Sequence, residues 1–284
     1  QSKLDEESRL YAERWSSPIV VTTAVKFFET LFSSKPTECR KLHNIANSVI
    51  VFDEAQFLPS HLIGATLESV NALCCRYKCS VVFSTATQPS FDYRDDVKWE
   101  PREIVKNNKV MYEKSKRVNV EWCLNERLSF AEIAMHLADI PSYCVIVNTK
   151  KHARELYRII SDGIVNKDEL FYVTTNMCAK HRMDKLEQIR YRLDNGLPCK
   201  LIATQCIEAG VDIDFPVLYR ALAPLESIIQ AAGRCNRNGL LEQCKVVVFE
   251  PENDAGVLYP SKHYESAANK VKYMLSKYDI DIYN

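Results

Sequence analysis

The stretch Val49–Gln56, V-I-V-F-D-E-A-Q, constrains this chain more than any other. Four consecutive apolar residues end abruptly in two adjacent carboxylates, Asp53 and Glu54. An apolar run without alternation fits a strand buried on both faces, the kind found in parallel sheets. In open α/β sheets, ligands gather beyond the carboxyl ends of such strands. One carboxylate there can hold a divalent metal while its neighbour orients or deprotonates a nucleophile. A lone acid pair at a strand end is usually just solvated, so its weight depends on what the rest of the chain supplies.

Composition narrows the field. The 284 residues suffice for two domains with cores of their own. A hydrophobic share of 46% and a charged share of 26% describe a soluble globular protein. The formal net charge of +0 excludes a histone-like electrostatic binder but leaves room for a local basic groove. The 11 cysteines are odd in number and scattered. Even the tightest group, Cys74, Cys75 and Cys79, has no His or second pair to complete a zinc site. Buried free thiols are expected. With no signal peptide and no membrane-length apolar run, a reducing, cytoplasmic location is expected and no membrane partner. Gln1 rather than Met opens the chain, so further protein is expected upstream.

Read in order, Gln1–Trp15 is weakly helical and Ile19–Thr23 is a short β-branched strand. A helix over 25–32 turns Phe28 and Leu31 inward. Thr22 and Thr23 at that junction either cap the helix or meet a phosphate. After the strand at Val49–Phe52, a helix restarted at Pro59 carries Ile63, Leu67, Val70 and Cys74 on one stripe. Ser80–Phe83 is another buried strand, ending in S-T-A-T. Strand, helix, strand at this spacing predicts a parallel crossover that sets Thr85 and Thr87 beside Asp53 and Glu54. Residues 91–127 read as connecting structure, with edge strands near 103–110 and 118–123.

The second half alternates regularly. Ser129 and Glu132 form a capping box before a helix carrying Phe130, Ile133 and Leu137. Strands follow at 144–149, 170–174, 200–204, 217–221 and 245–249, with helices at 151–162 and 179–195 and a last helical stretch near 264–275. This pattern predicts a second doubly wound α/β domain. Thr204 ends one strand, and Gly210, Asp212 and Asp214 follow in a turn. In Leu225–Asn238, a continuous helix would place Gln230, Arg234 and Arg237 on one face, with Ile228, Ile229 and Ala232 inward. Two guanidiniums so placed suit a polyanion, and a solvated basic face is the bland alternative.

The ordered set D-E-A-Q, T-A-T, T-Q-C-I-E-A-G-V-D-I-D and Q-A-A-G-R-C-N-R resembles motifs II, III, V and VI of superfamily 2 helicases. W-S-S-P-I-V-V-T-T from Trp15, the stretch Arg40–Val49 and G-R-C-N-R narrow the resemblance to the CRISPR-associated helicase–nucleases of type I systems. In that last motif Asn236 stands where many related helicases carry Gly. The resemblance implies an α/β fold of two RecA-like parallel-sheet lobes with the first incomplete. It divides the chain into 1–105 (motifs Ib, II, III), a linker 106–128, a second lobe 129–250 (motifs IV, V, VI) and a tail 251–284. It implies ATP-dependent unwinding of target DNA, with ATP and Mg²⁺ bound between the lobes. Asp53 would hold Mg²⁺, and Glu54 would activate water. Gln56, Thr85, Thr87 and Asp212 would line or couple the nucleotide site, and Gln230, Arg234 and Arg237 would complete it. Thr22, Thr23, Thr149 and Thr204 would touch single-stranded DNA. Partners implied are that strand, a Cascade-type surveillance complex, and an HD nuclease domain.

The sequence departs from the family in containing no G-x-x-x-x-G-K-[ST] and no His-Asp dipeptide. The expectation is a fragment whose phosphate-cradling loop and nuclease lie elsewhere and which hydrolyses ATP negligibly by itself. The alternatives are a DNA-repair or restriction translocase of the same superfamily, and an inactive nucleic-acid- or protein-binding fragment.

Overall fold

The computed structural model describes residues 10–59, 62–85, 101–107, 110–111, 116–239, 244–252 and 256–278. The chain divides into two compact units, Gln1–Ile104 and Val105–Asn284.

In the first unit, helix α1 (Ala24–Phe32) and helix α2 (Ile63–Tyr77) accompany a parallel pair, β1 (Val49–Asp53) and β2 (Ser80–Ser84). The pair is the expected crossover, in a register that sets Asp53 opposite Ser84. Its core is aromatic. The Phe52 ring stacks on Phe28 and Phe83 and meets Phe27 edge-on, all at centroid separations of 5.4–5.5 Å. Because side chains alternate across a strand, Ile50 and Phe52 face this cluster while Val49 and Val51 point the other way.

Three expectations change here. β1 is not buried on both faces, since Val49 and Val51 are 68% and 60% exposed. β2 is likewise only partly covered. Ile19–Thr23 forms no strand, and Val21 is 94% exposed. A β-branched run becomes a strand only beside a pairing partner and a packing surface, and the described residues supply neither. Among the helices, Phe27 rather than Phe28 or Leu31 is the buried apolar residue of α1, and Leu73 replaces Cys74 in the buried stripe of α2.

The second unit is a six-stranded, all-parallel sheet. Its strands are β3 (Asn119–Leu128), β4 (Ser142–Ile146), β5 (Leu170–Val173), β6 (Cys199–Ala203), β7 (Val217–Ala221) and β8 (Lys245–Pro251), in the spatial order β3-β8-β7-β4-β6-β5. The inner strands are mostly apolar because both faces are covered. Tyr143 and Val145 pack with Ile133, Leu137 and Leu156 of helices α3 (Phe130–Leu137) and α4 (Lys150–Gly163). Cys144 and Ile146 face the opposite cluster, with Ile189 of α5 (Ala179–Asp194) and Ala231 of α6 (Leu225–Ala232). Helix α7 (Lys262–Leu275) adds Ala268 and Val271 to a further cluster with Ile228 and Val248.

The capping box forms as read, and Phe130, Ile133 and Leu137 are buried. The edge strand expected near 118–123 forms as β3, over 119–128, whereas 104–107, where another was expected, is bend and turn. Strand β4 stops at Ile146, so Asn148 and Thr149 lie in the loop beyond it. From β4 the chain runs outward to β5, while β6 leads across to β7 on the other side of β4. The loops leaving β4, β6 and β7 therefore gather at the carboxyl ends beside a topological switch.

Candidate functional site

In the first unit the acids sit at the carboxyl end of β1. Asp53 is exposed, and one of its carboxylate oxygens accepts a hydrogen bond of 3.1 Å from the Ser84 hydroxyl at the end of β2. Glu54 takes the left-handed conformation (φ 53°, ψ 48°), unusual for a residue with a side chain. This turns the chain sharply into a single 3₁₀ turn, Ala55–Phe57. Gln56 donates its side-chain amide to the Glu54 carboxylate, and the Thr85 hydroxyl donates to the Gln56 side-chain amide oxygen. Thr85, Gln56 and Glu54 thus form one hydrogen-bonded chain across the two strand ends. Thr87 lies outside the described residues.

Of the four threonines expected to touch single-stranded DNA, Thr23 and Thr149 are helix caps. Thr22 is exposed before α1, and the Thr23 hydroxyl accepts from the Lys26 amide. In the second unit Thr149 likewise caps α4 by accepting from the His152 amide at 3.2 Å. Thr204 is buried, its hydroxyl directed at Cys206 Sγ.

The second unit corrects the reading of Leu225–Asn238 as one helix. Helix α6 ends at Ala232, with Gly233 as its cap. A Cβ at 233 would stand 3.3 Å from the Gln230 carbonyl oxygen. Gly233 and Arg234 continue as a turn, Cys235 then pairs with Phe215, and Asn236 turns left-handed at φ 50°. A Gly or Asn suits that conformation, which accounts for the Asn at this position. Gln230, Arg234 and Arg237 consequently share no helical face. Gln230 is buried, with both amide atoms lacking a partner among the described residues. Arg234 is half-buried and donates twice to the Glu208 carbonyl, at 3.1 and 2.7 Å. Arg237 is more exposed, its Nε 3.3 Å from Asp212 Oδ1.

Beneath this loop lies a buried ionic network that sequence reading missed. Arg220 on β7 is fully buried and ion-paired to Glu208 at 2.8 Å. It also donates to Asn148 Oδ1, to the Ala221 carbonyl and to the Tyr264 hydroxyl of α7, at 2.7–2.8 Å. Asn148 donates to the Leu222 carbonyl, and Gln205 donates to the Asn148 carbonyl. The loops leaving β4, β6 and β7 are tied together through these atoms. Burial raises the Glu208 carboxyl above its ordinary range, against the opposing pull of Arg220 and of the Ser227 hydroxyl. The only sequence hint was an Arg inside an apolar strand, L-Y-R-A-L. Among the described residues no cluster of acids, His and Cys could hold a metal by itself.

Residues 140–240 match the family described as "CRISPR-associated nuclease/helicase Cas3, C-terminal". Over those residues the chain is similar to the C-terminal part of Cas3. The CRISPR-associated nuclease/helicase Cas3 of Haloferax volcanii is 24% identical over 82% of the chain, and that of Streptococcus thermophilus is 26% identical over 82%. The chain spans 34% and 29% of those two Cas3 proteins, about a third of their length. Among solved structures, T. fusca Cas3 with ATP superposes with a TM-score of 0.69 at 18% identity, over 90% of this chain and 35% of that one. A component of a "CRISPR RNA-guided surveillance complex, pre-nicking" gives 0.65 at 17%, over 97% and 41%. S. cerevisiae Dbp5 bound to RNA and ADP BeF3 gives 0.52 at 16%, over 82% and 58%. These likenesses show the fold alone, parallel α/β sheets shared with those structures. No helix among the described residues is long and apolar enough to cross a membrane.

Proposed function

We propose that the chain is part of the motor of an ATP-dependent single-stranded-DNA translocase acting in type I CRISPR interference. Its two units would be RecA-like lobes, the first incomplete. The observation that carries this reading is the hydrogen-bonded chain from Thr85 through Gln56 to Glu54, beside Asp53 at the ends of paired strands. It joins two of the recognised motifs into one site and holds Glu54 in an orientation that a solvated acid would not keep.

The Asp53 carboxylate, exposed and bearing one hydroxyl donor among the described residues, fits an oxygen-preferring divalent cation. When bound, Mg²⁺ would neutralise phosphate charge. Glu54 would accept the proton of the attacking water, and Gln56 would hold Glu54 in place while reporting the position of Thr85. From the second unit, Arg237 and Arg234 would stabilise the developing phosphate charge, a task suited to a fork that is always cationic. The amides at the Thr23- and Thr149-capped helix starts can take backbone phosphates of a single strand without reading its bases. Buried Thr204 would act by shaping its loop. The relative solved in a surveillance complex supports recruitment of the longer protein to such a complex, and the relatives named nuclease/helicase support a nuclease partner in the same protein.

The test uses the full-length protein with single-stranded DNA. Asp53→Ala, Glu54→Gln and Arg237→Ala should each remove DNA-stimulated ATP hydrolysis, the Arg change by about 10³-fold or more. Wild-type turnover in any of them removes that residue from the mechanism. Residues 1–284, which contain no G-x-x-x-x-G-K-[ST], should hydrolyse ATP negligibly alone.

A further inference from the structure

The loop after α6 is held at more points than a solvent-exposed arginine needs. One Asp214 carboxylate oxygen accepts from the Arg237 backbone N–H at 2.8 Å, and the other accepts from the Asn238 N–H at 3.0 Å. On the opposite side of the same residue, Arg117 donates to the Arg237 carbonyl at 2.6 Å. Arg117 is itself fixed, because its carbonyl accepts from the Asn236 side chain at 2.9 Å. Its guanidinium also packs against Gly239, which turns at φ 66°. The segment bearing Asp214 is pinned to the same loop next door, since the Phe215 amide donates to the Arg234 carbonyl at 2.9 Å and Phe215 pairs with Cys235. Asp212 completes the set by meeting Arg237 Nε, while the Asp212 carbonyl accepts from Arg190.

We propose that Asp214 is a positioning residue that aims Arg237, by gripping both backbone N–H groups at the arginine's root. This rests on the reading of Arg237 as a transition-state cation. A carboxylate spanning two successive amides makes charge-assisted bonds that fix the local backbone direction. A long, half-exposed side chain gains reach from such a root, because only its own rotamers remain to be ordered. Asp212 contacts the guanidinium side chain, whereas among the described residues the Asp214 carboxylate hydrogen-bonds main-chain amides, so its contribution to hydrolysis is indirect. Misplacing a catalytic group by about 1 Å can cost about 10²-fold in rate.

The experiment measures DNA-stimulated ATP hydrolysis by the full-length protein carrying Asp214→Ala, Asp214→Asn, Arg237→Ala, or Asp214→Ala with Arg237→Ala. Asp214→Ala should lower kcat by about 10–100-fold, with KM for ATP and single-strand affinity within about twofold of wild type. The double variant should be no slower than Arg237→Ala alone. As a readout independent of turnover, Asp214→Asn should weaken binding of ADP–aluminium fluoride while leaving ADP affinity unchanged. A merely structural role would lower both affinities. Wild-type turnover in Asp214→Ala with Arg237→Ala inactive, or losses that multiply in the double variant, would overturn the positioning role alone. Wild-type turnover in Arg237→Ala would instead sink the reading on which it rests. Should Asp214→Ala fold poorly, Asp214→Asn decides the matter by the two affinities.

Discussion

Replacing Glu208 with Gln should be among the most damaging conservative changes available in the second unit. The substitution keeps shape and removes one charge from a pair whose side chains are 0% and 6% exposed, so solvent screening gives no relief. Breaking a buried ion pair by neutralising one partner costs about 3–5 kcal/mol, because the surviving charge is left uncompensated. Arg220 keeps neutral acceptors at Asn148 Oδ1, the Ala221 carbonyl and the Tyr264 hydroxyl, which solvate the cation in part. Its Nε has no acceptor among the described residues. The lower end, about 3 kcal/mol, is therefore expected for Glu208→Gln. For a unit of this size that is a fall of about 6–12 °C in Tm. Adding Arg220→Met removes the stranded charge, so the double variant should be less destabilised than the sum of the singles by about 2 kcal/mol or more. Urea unfolding of residues 1–284 by far-ultraviolet circular dichroism, with calorimetry for Tm, measures the cycle. Additivity within about 0.5 kcal/mol, or a Glu208→Gln loss below about 1 kcal/mol, would refute the uncompensated-charge argument.

Two further outcomes test burial elsewhere in the same unit. His152 is buried against the Phe130 ring, and burial lowers its pKa below the ordinary 6.5, against the pull of Glu155. The unfolded chain then binds the proton more readily than the folded one. Stability should be full above pH 6.5 and should fall as pH drops below it; His152→Asn should flatten that slope, and an unchanged slope would exclude His152 as its source. Thiol reactivity should separate the cysteines. Cys39, Cys75 and Cys178 are exposed and should be alkylated by iodoacetamide in the native state, whereas Cys144, Cys199, Cys235 and Cys244 should react only on unfolding. Burial holds the Cys199 thiol up at about 12, so rapid native alkylation of Cys199 would contradict its place in the core.

The legible part of this protein was the part written in local pattern. Unbroken apolar runs such as Tyr143–Ile146 and Val246–Phe249 become inner strands because a parallel sheet covers both their faces. Ser129 and Glu132 announce a helix start within four residues of chain. The crossover from Val49 to Ser84 was likewise legible, since spacing alone makes the strands parallel. The motifs could be read in order for the same reason: each is a short string whose chemistry lies in its own residues.

What the tertiary structure decided concerns residues whose environment is supplied from far along the chain. Periodicity would carry a helix through Arg237, yet α6 stops at Ala232, where Phe215 offers Cys235 a pairing partner. Gln230 is buried and Arg220 is caged because β7 lies inside a six-stranded sheet, which no window of neighbouring residues reports. Val49 and Val51 read as buried and are bare, since burial belongs to what packs against a strand and not to the strand's own composition. Asp53 and Glu54 were visible as an acid pair from sequence alone. That Gln56 and Thr85 hold Glu54, and that Asp214 grips the backbone of Arg237, depends on hydrogen bonds between segments brought together only by folding.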